Sequence, residues 1–426
     1  MIRCARVLPA VVAASTLLVG CGQSGATVSA GNLRQGVESR SQSTRLDDAD
    51  LSAGAIRQQV SPDVLRREAQ ADGAGNLLFP TRPLPRRAAA PAPRLAAGPV
   101  LSGGLRYPDF TGALIPAANV TVHVMAKGGG LSSPREVATA LTDANGRWTA
   151  VLPAELLGKA VTTSYELGNR RWTLERMRWE GPSVASLAAS QDTGDRTLEA
   201  SSQNGKAALI HQVWNRALAA FERESISLDG WWTRPIGTRW PADANYYSMG
   251  TVNLTDAEWW DVNGHEIGHA IFFAGFNSSS GGGQHKIDEC YGADLAWSEG
   301  FASFFSGVIS ISRQDPDAKF EFMVPRRKPI RLENVPEDVC QGHTNEWRVS
   351  AALWDLYDTH ADGQDQVALE FKQIWGSLVK TGTGGRMADV RDAFRRVALQ
   401  TEPSLRPGLA AAFAQSGVPV TLQMAR

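Results

Sequence analysis

The clearest chemistry in the chain lies in one short segment, His265-Glu266-Ile267-Gly268-His269. On a helix, positions i and i+4 share a face about 6 Å apart along the axis, so two imidazoles there can converge on one metal ion. Glu266 is rotated off that face by about 100°. Its carboxylate can therefore stand beside a metal-bound water rather than on the metal. A third ligand follows in Asp294 to Phe305, where Glu299 is embedded among Leu295, Trp297, Phe301, Phe304 and Phe305. A carboxylate in such company is costly to bury without a partner, and a cation supplies one. His285, Asp288 and Glu289 are nearer rivals. They follow Gly281, Gly282 and Gly283, a stretch better suited to a loop than to a rigid ligand shell.

Several elements are needed to position these groups. Thr255-Asp256-Ala257-Glu258 reads as a capping box and predicts a helix start just before Trp259. Tyr246 to Leu254 reads as a strand directly before that helix, and Glu346 to Asp358 as an amphipathic helix. Ile210, Val213, Trp214, Ala217, Leu218 and Phe221 recur at helical spacing. Upstream, Val120, Val122 and Val124 alternate with polar or flexible residues, a period-two strand signal. Asn145-Gly146, between alternating runs at Val137 to Thr142 and Trp148 to Leu152, predicts a hairpin. His123, on an alternating strand, reads as an exposed or satisfied polar residue rather than a ligand, and His211 and His360 as ordinary surface or helix histidines.

Two resemblances follow from these residues. The histidine pair with its glutamate, together with Ser298-Glu299-Gly300-Phe301-Ala302, resembles the gluzincins, zinc peptidases with two His ligands and one Glu; it covers roughly residues 200 to 400. It implies one zinc ion on His265, His269 and Glu299, with Glu266 as the base that takes a proton from the zinc-bound water. Tyr246 to Leu254 is similar to the edge strand on which such enzymes lay an extended substrate, and His343, Arg348 and Tyr357 are candidates to stabilise an oxyanion. The metzincin pattern is excluded, because Gly275 occupies the position of its third His. Thermolysin-like enzymes carry an Asp one turn after the Glu ligand; Ser303 stands here, so a neutral hydroxyl must serve. Thr142-Asp-Ala-Asn-Gly-Arg-Trp148 looks like the turn of transthyretin-like, carboxypeptidase-regulatory-type sandwiches, a resemblance covering residues 98–180.

The expected architecture is multidomain, a small all-β sandwich followed by an α+β zincin-like peptidase domain. Its divisions are a leader at 1–20, a tether at 21–97, the sandwich at 98–180, a linker at 181–204 and the peptidase domain at 205–426. Arg3 and Arg6 precede an apolar run too short to span a bilayer, ending in Leu18-Val19-Gly20-Cys21. This resembles a bacterial lipobox and implies cleavage before Cys21, its lipidation, and membrane attachment in the cell envelope. All 13 Trp lie at Trp148 or later, so the folded mass sits beyond the Pro-rich end of the tether. With 43 Lys and Arg against 44 Asp and Glu and no basic stripe, nucleic acid is not an expected partner; a peptide or protein substrate is.

Removing Cys4 with the leader and assigning Cys21 to lipid leaves Cys290 and Cys340, which an exported chain would pair. A rival reading is a surface-binding or adhesion lipoprotein with an inactive peptidase fold, against which the intact His265, Glu266, His269 and Glu299 weigh. Cys21→Ser is expected to leave the precursor unprocessed or to release the protein from membranes. Fractionation with intact-mass measurement checks this, and a wild-type N-terminus elsewhere without an acyl mass would refute it.

Overall fold

A computed structural model describes residues 98–126, 133–361, 363–380 and 385–421. The leader, Cys21 and the tether lie outside the described residues. Strands run, in chain order, β1 (Val100–Pro108), β2 (Leu114–Pro116), β3 (Thr121–Ala126), β4 (Arg135–Leu141), β5 (Arg147–Val151), β6 (Val161–Gly168) and β7 (Trp172–Val184). They continue with β8 (Ser190–Thr197), β9 (Ile236–Arg239), β10 (Tyr246–Ser248), β11 (Thr251–Asn253), β12 (Lys319–Phe320) and β13 (Ile330–Arg331). The helices are α1 (Gln203–Arg223), α2 (Trp260–Gly275), α3 (Ala293–Ser310), α4 (Glu346–Trp354), α5 (Phe371–Leu378), α6 (Val390–Gln400) and α7 (Arg406–Gln415). The arrangement is mixed α/β.

β1 pairs with β2, β5 and β8 in one sheet, and a second sheet runs β10-β11-β9-β7-β6-β3-β4. The expected hairpin at Asn145-Gly146 is not formed. β4 pairs with β3 and β5 pairs with β1, so the turn carries the chain from one sheet to the other. The turn itself is strongly built: the Asp143 carboxylate accepts from the Asn145 and Arg147 amides, and Gly146 takes a φ of +73° that L side chains rarely adopt.

The segment 181–204 is not a linker. It holds the end of β7 and all of β8, which runs parallel to β1. β8 is mostly exposed and polar, held by main-chain pairing, so no apolar alternation marks it in the sequence. The separation into sandwich and second domain is also bridged. Trp172 to Leu174 of β7 pair in parallel with Ile236 to Thr238 of β9, so one sheet spans both halves of the chain.

α1 packs against this sheet through Trp172, Trp214 and Trp232, with the first two rings stacked at 5.8 Å. His211 is buried at this joint rather than exposed. Its Nε2 donates to the Ala118 carbonyl and its Nδ1 accepts from the Trp172 indole, and burial pushes it down to about 4. His123 bridges Glu136 and Glu166 on the two neighbouring strands.

α2 and α3 form the centre of the second half, with α4 packed on α3. The predicted capping box is not used. Thr255 turns to Asn245, and α2 starts at Trp260 without a side-chain cap. Its first turn is held instead by Asp261, whose buried carboxylate accepts the amides of Glu321, Phe322 and Met323. Ser306 of α3 donates to the Asp261 carbonyl.

The two helices meet closely at Gly268. A β-carbon there would lie 2.7 Å from the Ala302 carbonyl oxygen and 2.8 Å from its Cα, inside backbone that cannot yield locally. Gly268→Ala is therefore expected to force the helices apart, lowering stability by about 1–3 kcal/mol, with weaker metal retention. Exposed Gly376 in α5 has nothing within 4 Å of such a carbon, so Gly376→Ala is the matched control and should be neutral or stabilising. Denaturant unfolding with metal analysis of both variants tests the contrast.

Candidate metal centre

The α2–α3 contact sets the site. His265 and His269 project from adjacent turns of α2, with ring centroids 4.7 Å apart and planes at 88°. Glu299, mid-way along α3, meets them: Glu299 Oε2 is 3.1 Å from each Nε2, and the two Nε2 atoms are 3.1 Å from each other. All three residues are buried. Two imidazoles and a carboxylate at three equal separations cannot all be joined by hydrogen bonds, since each Nε2 carries at most one proton. A tetrahedral ion with bonds of about 2.0–2.1 Å separates its ligand atoms by about 3.3 Å, so this trio can hold a metal.

The surrounding groups orient these ligands. Ser303, one turn beyond Glu299, places its hydroxyl 3.0 Å from His265 Nδ1. The Nδ1 of His269 and the Oε1 of Glu299 are buried without hydrogen-bond partners among the described residues. Burial pushes His265 down to about 4, outweighing the pull of Glu299 towards the charged form. Burial acts on Glu299 in the opposite sense, but the charges of His269 and His285 and the contacts from both α2 histidines hold it well below the usual carboxylate range. A neutral imidazole and an ionised carboxylate are the ligand forms that a metal requires. Glu266 is fully buried on α2, one position after His265 and off the face shared by the two ligands.

Residues 214–398 match the family model of the mycolysin C-terminal domain. That domain is found in metallopeptidases. The matched span contains α2, α3 and α4 and every residue of the trio. No curated protein matches the chain. Among solved structures it is similar to a 9R-lipoxygenase from Cyanothece, at 12% identity and a TM-score of 0.18, covering 43% of this chain and 32% of that one. It is also similar to a candidate carbohydrate binding protein from Pseudomonas aeruginosa, at 18% identity and a TM-score of 0.16, covering 25% of this chain and 92% of that one. The chain thus spans about a third of the lipoxygenase, and likenesses this slight carry no argument.

The three rivals for the third ligand separate clearly. Asp288 is engaged by both guanidinium nitrogens of Arg326 at 2.6 and 2.8 Å, and Glu289 by Lys286 and the Tyr291 hydroxyl. His285 turns inward instead. It is fully buried, with Nε2 3.8 Å from Glu299 and 3.1 Å from Glu346.

The glycine-rich stretch is therefore no obstacle to a fixed side chain, because its far end is tied down. Cys290 is disulfide-bonded to Cys340, the Asn345 side chain donates to the carbonyls of Ile287 and Glu289, and the Cys340 amide donates to Asp288 O. Sequence reasoning missed Glu346. It begins an amphipathic helix, where a glutamate normally reads as a solvated first-turn residue.

Two of the three oxyanion candidates are engaged in packing and main-chain contacts. The Arg348 guanidinium donates to the carbonyls of Pro336, Val339, Cys340 and Ser416, a structural use. Tyr357 packs against Phe304 and Trp354 with Arg313 over its ring. His343 is half-buried and pushed down by burial and by Arg391. The predicted strand at 246–254 is a short hairpin, β10 and β11, whose β10 forms the edge of the long sheet and packs on α2.

The depressed histidines give a pH signature. His265 and His211 both stay neutral in the fold down to about 4, whereas in the unfolded chain each takes up a proton near 6.5. The unfolded state therefore binds more protons in that window, and stability present above it is lost as the pH falls towards 4. His285 acts in the opposite sense, its contribution being lost only as the pH rises towards about 10. Chelator-treated protein is expected to lose on the order of 3 kcal/mol per depressed histidine between pH 7 and 4. Denaturant titrations across that range check this, and a flat profile would contradict it.

Proposed function

We propose that the chain is a zinc-dependent peptidase of the bacterial envelope, hydrolysing peptide or protein substrates. The observation that carries this reading is the convergence of His265, His269 and Glu299 on one small volume with Glu266 beside them on α2. The match to a domain found in metallopeptidases supports it. A zinc ion bound there would lower the pKa of a water towards about 7 and polarise the carbonyl it faces.

The protein's own part is positional and protic. The three ligands are fixed by helix packing and by Ser303 at His265, which sets the rings without a long-range search. Glu266 takes the proton of the attacking water and returns it to the leaving nitrogen, so the carboxylate is restored at the end of each turnover. Edge strand β10 offers main-chain groups to an extended substrate, next to the helix that bears the base. Cys21 supplies the lipid anchor and the tether the reach from the membrane. No helix among the described residues is long and apolar enough to cross a membrane.

Glu266→Gln keeps the shape of the side chain and removes the base. It is expected to cut proteolysis by about 10²–10⁴-fold while metal content is unchanged. A peptide-library digest with parallel elemental analysis tests this. Near-wild-type turnover would overturn the assignment, and a wild type that retains metal yet cleaves nothing would refute the peptidase reading.

A further inference from the structure

We propose that His285, Glu346 and Glu299 form a site for a second divalent cation, with Glu299 bridging it to the first. The proposal rests on the reading above, in which His265, His269 and Glu299 hold one ion.

Three observations carry it. Ligand atoms of His285, Glu299 and Glu346 lie within 4.8 Å of one another, and all three residues are buried. His285 Nδ1 is 3.1 Å from the Gly283 carbonyl, which can only accept, so that nitrogen bears a proton and Nε2 is the atom turned to the carboxylates. Nε2 lies 3.1 Å from Glu346 Oε2 and 3.8 Å from Glu299 Oε2, close to both carboxylates yet poorly aligned for a hydrogen bond. One imidazole nitrogen and two buried carboxylates thus converge on one small space.

The trio is built into the fold and does not depend on a mobile loop. Glu346 is the first residue of α4, and its neighbour Asn345 caps that helix while donating to the carbonyls of Ile287 and Glu289 at 2.8 Å each. The Cys290–Cys340 disulfide closes the same junction. Glu299 Oε2 is the oxygen turned to both sides, 3.1 Å from the Nε2 of His265 and of His269 and 3.8 Å from that of His285.

One nitrogen and two carboxylate oxygens suit zinc, cobalt or manganese. Paired ions about 3.5–4 Å apart can clamp both the attacking and the leaving atoms of a hydrolysis.

The test uses chelator-stripped full-length protein reloaded with Zn²⁺, freed of excess by gel filtration and analysed for metal. Wild type is expected to retain two ions per chain, and His285→Ala and Glu346→Gln one each. One ion in wild type and in both variants would overturn the second site and leave the first standing. No retained ion in wild type would overturn the reading of the first site as well.

A second measurement needs no variant. Titration with Co²⁺, followed by electron paramagnetic resonance, should show the signal per ion falling as the second equivalent binds, from coupling through Glu299. Saturation at one equivalent, or two full-intensity independent signals, would refute the bridged pair.

Discussion

The site depends on one contact, the approach of α2 to α3 at Gly268 and Ala302. Because residue 268 has no side chain, the backbones come close enough for a carboxylate on one helix to meet two imidazoles on the other. Both distances from Glu299 to the imidazoles inherit that separation. Ser306 at the Asp261 carbonyl and Ser303 at His265 tie the same pair of helices at and one turn beyond the ligands. A metal ion would add its binding energy to a geometry that packing has already imposed.

Around that pair the molecule supplies rigidity from several sides. Phe221, Trp231, Phe276, Phe301 and Trp375 pack as one aromatic cluster behind α3, with ring centroids 4.6 to 5.0 Å apart at the closest pairs. Such rings bury large areas while leaving few soft torsions, which suits a wall that must not drift. On the other side Asp261 gathers three backbone amides from the loop before β13. Its carboxyl is still raised to about 6, because complete burial outweighs those four backbone hydrogen bonds, the Val262 amide included.

Electrostatics and position divide the labour among the buried acids. Glu299 is held ionised by the imidazoles around it, whereas burial raises Glu346 despite His285 beside it. These two glutamates therefore differ in charge preference although they share a neighbour, and the difference comes from the number of nitrogens each one faces. Glu266 sits one position from a ligand on the same helix, so its placement follows from helical rotation alone.

The sequence by itself determined what helical geometry and local composition can carry. The i, i+4 spacing puts His265 and His269 on one face and Glu266 off it, and a carboxylate amid Trp297, Phe301 and Phe305 stands out as needing a partner. The pairing of Cys290 with Cys340 was likewise legible, on the expectation that Cys4 belongs to a leader and Cys21 to a lipid anchor. Tertiary structure decided the rest. Polar β8 joins a sheet through backbone bonds that leave no side-chain pattern, and the Asn145-Gly146 turn links two sheets because β3 and β1 compete successfully for its flanking strands. His285 and Glu346, 61 positions apart in the chain, become neighbours only when the disulfide and Asn345 draw the loop onto α4. No local rule encodes a meeting of that span, since it is fixed by packing and cross-links rather than by the period of any one element.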